Sequence, residues 1–146
     1  MNPELQGRAF APTAPYLVGR EKVREFSRAV FASNPINNDV DAAKAAGYAD
    51  IVAPPTFAIV IQQFTLDQLV AEKDSGIDMT HIVHGEQRFS YTRPIVAGDE
   101  LTATLAVTSI KSLGGNAMVV AESTIVDSSN EHVVTAISTL VVRGDA

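Results

Sequence analysis

The sequence predicts an α+β domain in which an antiparallel sheet of about five strands wraps around one long central helix. Three observations carry that expectation. Apolar residues recur at helical spacing through the first half of the chain and switch to a period of two from Ile82 onward. The longest apolar run, Phe57 to Ile61, follows the pair Pro54-Pro55 and has no polar face, as in a helix enclosed by protein. Turn residues then punctuate the second half at intervals that suit strands. With 146 residues, 46% of them hydrophobic, and no internal repeat, the chain reads as one domain over 1–146 with a sizeable core.

Past a lead carrying Pro12 and Pro15, Tyr16-Leu17-Val18 reads as a short strand and Gly19 as the cap of a first helix. In that helix Val23, Phe26 and Val30 recur at i, i+3 and i+7 while Glu21, Lys22, Arg24, Glu25 and Arg28 point elsewhere. Asn34-Pro35 is expected to stop it, because a residue before proline is pushed out of the α region. A second helix fits Asp39 to Ala46, with an acidic first turn and Gly47 as a left-handed stop. The third runs from Thr56, its cap, to about Lys73, where Asp74-Ser75-Gly76 ends it. Its apolar first half is expected to be enclosed on most sides.

Four strands follow, Ile82 to Tyr91, Glu100 to Leu113, Ala117 to Val126 and His132 to Arg143, read as an antiparallel meander. Pro94 with Ala97-Gly98-Asp99 closes the first, Gly114-Gly115-Asn116 makes a hairpin, and Asp127-Ser128-Ser129-Asn130 makes the last connection. A single sheet has two edges, so pairing with another subunit through an edge is expected.

A formal charge of −6 and the lack of any basic run argue against a nucleic-acid surface. Zero cysteines exclude a disulfide framework and a thiol nucleophile. Met1 to Phe10 holds Glu4 and Arg8 and lacks the apolar run of an export signal, so a cytoplasmic address is expected. No stretch approaches the ~20 apolar residues that cross a bilayer, and no membrane partner is expected.

Two stretches resemble the MaoC-like, or R-specific enoyl hydratase, family. The first is Ser33-Asn34-Pro35-Ile36-Asn37-Asn38-Asp39, continued by Ala42-Ala43-Lys44-Ala45-Ala46-Gly47-Tyr48 and Ile51-Val52-Ala53-Pro54-Pro55-Thr56-Phe57. The second is Phe89-Ser90-Tyr91-Thr92-Arg93-Pro94-Ile95-Val96-Ala97-Gly98-Asp99-Glu100-Leu101, similar to the family's aromatic strand leading into a Pro and Gly-Asp turn. Gly19-Arg20-Glu21-Lys22-Val23-Arg24-Glu25-Phe26 and Val52-Ala53-Pro54-Pro55-Thr56-Phe57 resemble a subgroup, the FAS1-like, MaoC-like dehydratase N-terminal proteins of actinobacterial type II fatty-acid and mycolic-acid synthesis. The resemblance implies a hotdog fold, an acyl carrier protein or CoA thioester as substrate, and no cofactor. It also implies a second MaoC-like hotdog subunit that carries the catalytic residues while this one shapes the acyl channel.

Dehydrating a 3-hydroxyacyl thioester requires one group to remove a weakly acidic α-proton and another to protonate the departing hydroxyl. The resemblance implies an Asp two positions before Asn-Pro and a His two positions after the Pro. Registered on Asn34-Pro35, those positions hold Ala32 and Asn37, and neither transfers a proton at neutral pH. The family steadies the enolate-like oxygen with a backbone N–H near the start of the central helix, where this chain reads Ala53-Pro54-Pro55. Proline has no N–H, so that donor is absent or moved to Thr56 or Phe57. The chain is therefore expected to carry no catalytic residue of its own, with Ala32, Asn37 and Pro55 as degenerate positions.

Asn37, Pro55, Thr56, Phe57, Ile61 and Phe64 are the candidates for holding the acyl group. Phe57, Ile61 and Phe64 fall at i, i+4 and i+7, a stripe that suits an acyl tunnel and equally suits core packing. His84 and Glu86, expected on one strand face, form a weaker alternative acid–base pair, and a solvated strand face explains them as well. His81, His84 and Glu86 supply at most two ligands facing one way, so no metal is expected. Arg88, Arg93 and Lys111 suit either a pantetheine phosphate at the channel mouth or a solvated sheet.

The leading expectation is a substrate-binding, non-catalytic subunit of a (3R)-hydroxyacyl-thioester dehydratase, paired with a second hotdog chain. The alternatives are a homodimeric acyl-thioester binding protein without chemistry and an acyl-CoA thioesterase. Hydrolysis wants a carboxylate near the start of the central helix, and Asp67 lies about three turns past Thr56.

Overall fold

The computed structural model describes residues 1–144. Arg20–Ala29 (α1), Val40–Ala45 (α2) and Ala58–Ala71 (α3) are α-helices, with short 3-10 turns at Pro3–Leu5, Pro35–Asn37 and Met79–His81. Tyr16–Leu17 (β1), Ile82–Tyr91 (β2), Glu100–Leu113 (β3), Asn116–Val126 (β4) and His132–Val142 (β5) form one antiparallel sheet in the order β1-β3-β4-β5-β2. The sheet curls around α3, giving the α+β hotdog arrangement that the period switch predicts. Among the described residues no helix is long and apolar enough to cross a membrane.

Gly19 caps α1 as expected, but the helix ends at Ala29, well before Pro35. Phe31 takes a left-handed φ of 58°, its N–H returns to the Arg28 carbonyl at 3.3 Å, and the Ala32 N–H returns to Ser27 at 2.8 Å. That pair of bonds is a Schellman stop with phenylalanine where glycine is usual. Val30 is consequently exposed instead of continuing the buried stripe of Val23 and Phe26. In α2 the Asp39 carboxylate accepts the Ala42 N–H at 2.7 Å, so Asp39 is the cap. Thr56 is not the cap of α3. Pro54 to Phe57 form a tight turn, closed by Phe57 N–H to the Pro54 carbonyl at 2.9 Å, and the helix begins at Ala58.

The α3 face toward the sheet separates two apolar clusters by a polar belt. Phe57 and Ile61 pack with Val23, Ile51, Leu101 and Ile125 at one end, and Leu66 and Leu69 with Leu5, Leu105 and Val119 at the other. Between them Gln62, Thr65, Ser123 and Ser138 are fully buried. Thr65 bonds Ser123 at 2.7 Å, Gln62 donates to the Ala136 carbonyl at 3.1 Å, and Gln87 donates to Gln62 at 2.8 Å. Such groups are tolerated in a core because each has a partner. Ile59 and Val60 stay half-exposed, so the expected enclosure of this half of α3 is incomplete in the single chain.

The meander holds only for β3, β4 and β5. β2 pairs with β5 at the far edge, so the segment after Tyr91 is a crossover and not a hairpin. It is pinned on the way by Ala53 N–H to the Ile95 carbonyl at 2.8 Å and Ala97 N–H to Ile51 at 2.9 Å.

Candidate functional site

The site forms where three loops meet the end of β2. Asn34 accepts the Ile36 N–H at 3.2 Å and starts the 3-10 turn that carries Asn37 inward. Asn37 is buried, and its amide donates to the Val52 carbonyl at 2.6 Å while the Val52 N–H donates back to Ile36 at 2.9 Å. This clip fixes the loop against residues 51–53, which the crossover holds from the other side. Together with Pro55 and the residues 91–94 they enclose a mostly apolar cavity of about 470 Å³.

Every polar group lining the cavity that bears on chemistry is already engaged. The Tyr91 hydroxyl donates to the Pro55 carbonyl. Burial pushes its pKa up to about 12, against a smaller pull from the Ala58 N–H. Arg93 grips Asp99 at 2.8 and 3.1 Å and Asp127 at 3.1 Å, and these bonds hold its pKa above the ordinary arginine value. Arg93 is thereby a clamp on the crossover and not a free phosphate contact. No carboxylate or imidazole appears in the lining. His132 lies behind it, with its ring nitrogens 2.6 Å from Thr92 Oγ1 and 2.7 Å from Thr135 Oγ1.

The predicted site residues are brought together only in part. Asn37 and Pro55 line the cavity, whereas Ala32 stands beside it, half-buried, with its carbonyl accepting from Asn38 at 3.4 Å. Thr56 is exposed. Phe57 and Ile61 belong to the core, Phe57 edge-on to Phe26 at 5.2 Å, and Phe64 leans on Tyr16 at 5.8 Å in a separate cavity of about 260 Å³. The three therefore do not form one tunnel wall, because packing against the sheet claims the first two.

His84 and Glu86 do not share a face. A bulge at Gly85 sets His84 opposite Leu140 and Glu86 opposite Thr139, so the extra residue reverses the alternation between them. Glu86 instead lies 3.6 Å from Arg88 on the surface. Asp67 is likewise exposed and accepts a bond from Gln63 at 2.8 Å. Among the described residues no group of three or more potential metal ligands converges.

Tyr91 is the site residue that the sequence reading passed over. Its signal was its place two residues after Phe89, on the face of β2 that the register with Ala136 and Val134 turns toward α3.

The family model described as "FAS1-like, dehydratase domain region" matches residues 4–136. A UPF0336 protein of Leifsonia xyli subsp. xyli is 66% identical over 99% of this chain and 97% of its own length. A chain in the crystal structure of the C-terminally truncated HadBC (3R-hydroxyacyl-ACP dehydratase) complex of Mycobacterium tuberculosis superposes with a TM-score of 0.85 at 31% identity, covering 94% of this chain and 96% of that one. A solved MaoC-like dehydratase gives 0.84 at 35% identity over 95% of this chain, which spans only 42% of that longer one.

Proposed function

We propose, from the premise that this chain belongs to the FAS1-like dehydratase-region family of hotdog proteins, that it is the substrate-binding, non-catalytic subunit of a (3R)-hydroxyacyl-thioester dehydratase. The observation that carries this reading is the cavity lining: it holds no group that exchanges a proton near neutral pH. Removing an α-proton and expelling a hydroxyl need two such groups, so the acid–base pair comes from a second hotdog chain. The apolar walls, Ile36, Val52, Ala53 and Pro55, suit an acyl chain.

The open outer edge of β2 and the half-exposed Ile59 and Val60 supply the surface for that second chain. The relatives support the same arrangement. The HadBC chain belongs to a complex, and the MaoC-like dehydratase extends beyond the matched part by more than that part's own length, room enough for a second such domain. The substrate in this reading is an acyl carrier protein or CoA thioester.

Co-expression with a hotdog chain bearing the Asp and His pair tests the proposal. A stable complex that hydrates trans-2-enoyl thioesters, with this chain inert alone, is the expected result. Hydration by the isolated chain contradicts it. Release of free CoA from acyl-CoA by the isolated chain points instead to hydrolysis.

A further inference from the structure

The sheet has a second face, turned away from α3 and its two apolar clusters. The solvated face of an antiparallel sheet ordinarily carries polar side chains at alternate positions. At the cavity end it does so: Ser90, Thr135, Thr124 and Thr104 lie side by side across β2, β5, β4 and β3. Toward the other end apolar groups replace the hydroxyls. Val83, Val141 and Met118 form one row across β2, β5 and β4, and Val120 and Ile137 follow on the same face. Val83 is 43% exposed and the other four are half-buried. Aliphatic side chains grouped in this way on an outward face mark a contact surface.

Between those two halves lies a row with charge on it. Ile137 stands at its centre, with Arg88 beside it on β2 and Glu122 beside it on β4. All three point away from α3, because Gln87, Phe89, Ala136, Ser138, Ala121 and Ser123 take the inward positions. Glu122 is half-buried and has no ion-pair partner among the described residues. Arg88 has one, Glu86, at 3.6 Å. A row that runs from cation through isoleucine to anion is its own complement when turned over.

We propose that this face docks a second copy of the chain, sheet against sheet, about a two-fold axis that runs along β5 over Ile137. Rotation about that axis exchanges β2 with β4, so Arg88 of each copy lies over Glu122 of the other and Ile137 meets its own counterpart. Stacked sheets are about 10 Å apart, a gap that an arginine and a glutamate close from opposite sides. The twist of each sheet turns the two by about 30°, which leaves the row on the axis in register. The apolar row of Val83, Val141 and Met118 adds burial beside it. The contact leaves the outer N–H and C=O groups of β2 free for the hotdog partner, so it joins two proposed pairs into a four-chain assembly.

The test is charge reversal, read as mass by sedimentation equilibrium of the full chain. Arg88→Glu brings two carboxylates together at each contact, and Glu122→Arg brings two guanidinium groups together. Each variant alone is expected to associate at least about tenfold more weakly than the parent, and to show half the parent's mass where the parent is fully associated. Mixed in equal amounts, the two are expected to recover the parent's mass, because every contact then joins a carboxylate to a guanidinium. Pairing along the edge of β2 gives a different result: Glu122 lies two strands from that edge, so Glu122→Arg leaves the mass unchanged, which overturns the proposal. A parent no heavier than its variants overturns it too, as does a mixture of folded variants that stays dissociated. If either reversal unfolds the chain, Ile137→Asp on the axis decides: half the parent's mass supports the contact, and the parent's mass overturns it.

Discussion

The sheet finishes its two outer edges in opposite ways. On one side the chain's own lead covers β3: the amides of Gly7, Phe10 and Thr13 reach the carbonyls of Val107, Leu105 and Ala103, and Leu5 is buried. On the other side β2, ten residues long, has β5 as its single strand partner among the described residues. A bare edge of that length templates pairing with other strands, because its outward N–H and C=O groups stay free. The bulge at Gly85 and the charges of Glu86 and Arg88 blunt its first half. From Gln87 to Tyr91 it is regular, and it ends at the cavity. In the proposed complex the closed edge serves folding and the open edge is the seam.

The largest expected effect is at the closed edge. Leu5→Ala should lower unfolding stability by about 2–4 kcal/mol in urea titrations, from lost burial and the cavity left behind. At the open edge Gln87→Ala should cost about 1–2 kcal/mol, since Gln62 and Ser138 each lose a partner. Equal losses at the two sites would contradict the unequal roles given to the edges.

The smallest effect is alkaline. The folded-state pKa of Tyr91 is raised from 10.0 to about 12, so its neutral form is favoured in the fold, and stability present below pH 10 is lost as pH rises toward 12. Thermal unfolding of Tyr91→Phe should be less sensitive over that window than the parent. An identical pH slope in both would remove the phenol from the account.

Much of the architecture was legible because it depends on local pattern. The period-two stretches place β2 and β3 at the residues expected, and β4 and β5 shift by one residue at one end. The order of strands was not legible, since Pro94 and Gly98-Asp99 serve a crossover as well as a hairpin and only tertiary contact with Ile51 and Ala53 distinguishes them. The stop of α1 was missed because a phenylalanine seldom adopts a left-handed φ. The bulge that parts His84 from Glu86 is a property of pairing with β5 and leaves little trace beyond Gly85 itself. In the site, Asn37 was legible from the register on Asn34-Pro35 and Pro55 from its place before the central helix, whereas Tyr91 required knowing which face of β2 meets the helix.

The central claim is that this chain binds and its partner reacts. It is tested most directly by kcat for enoyl-thioester hydration in the reconstituted complex, comparing substitutions on the two chains. His84→Ala and Glu86→Gln in this chain should leave kcat within about twofold of the parent complex, and replacing the partner's Asp by Asn should lower it by about 100-fold or more. A comparable loss from either substitution in this chain would contradict the account.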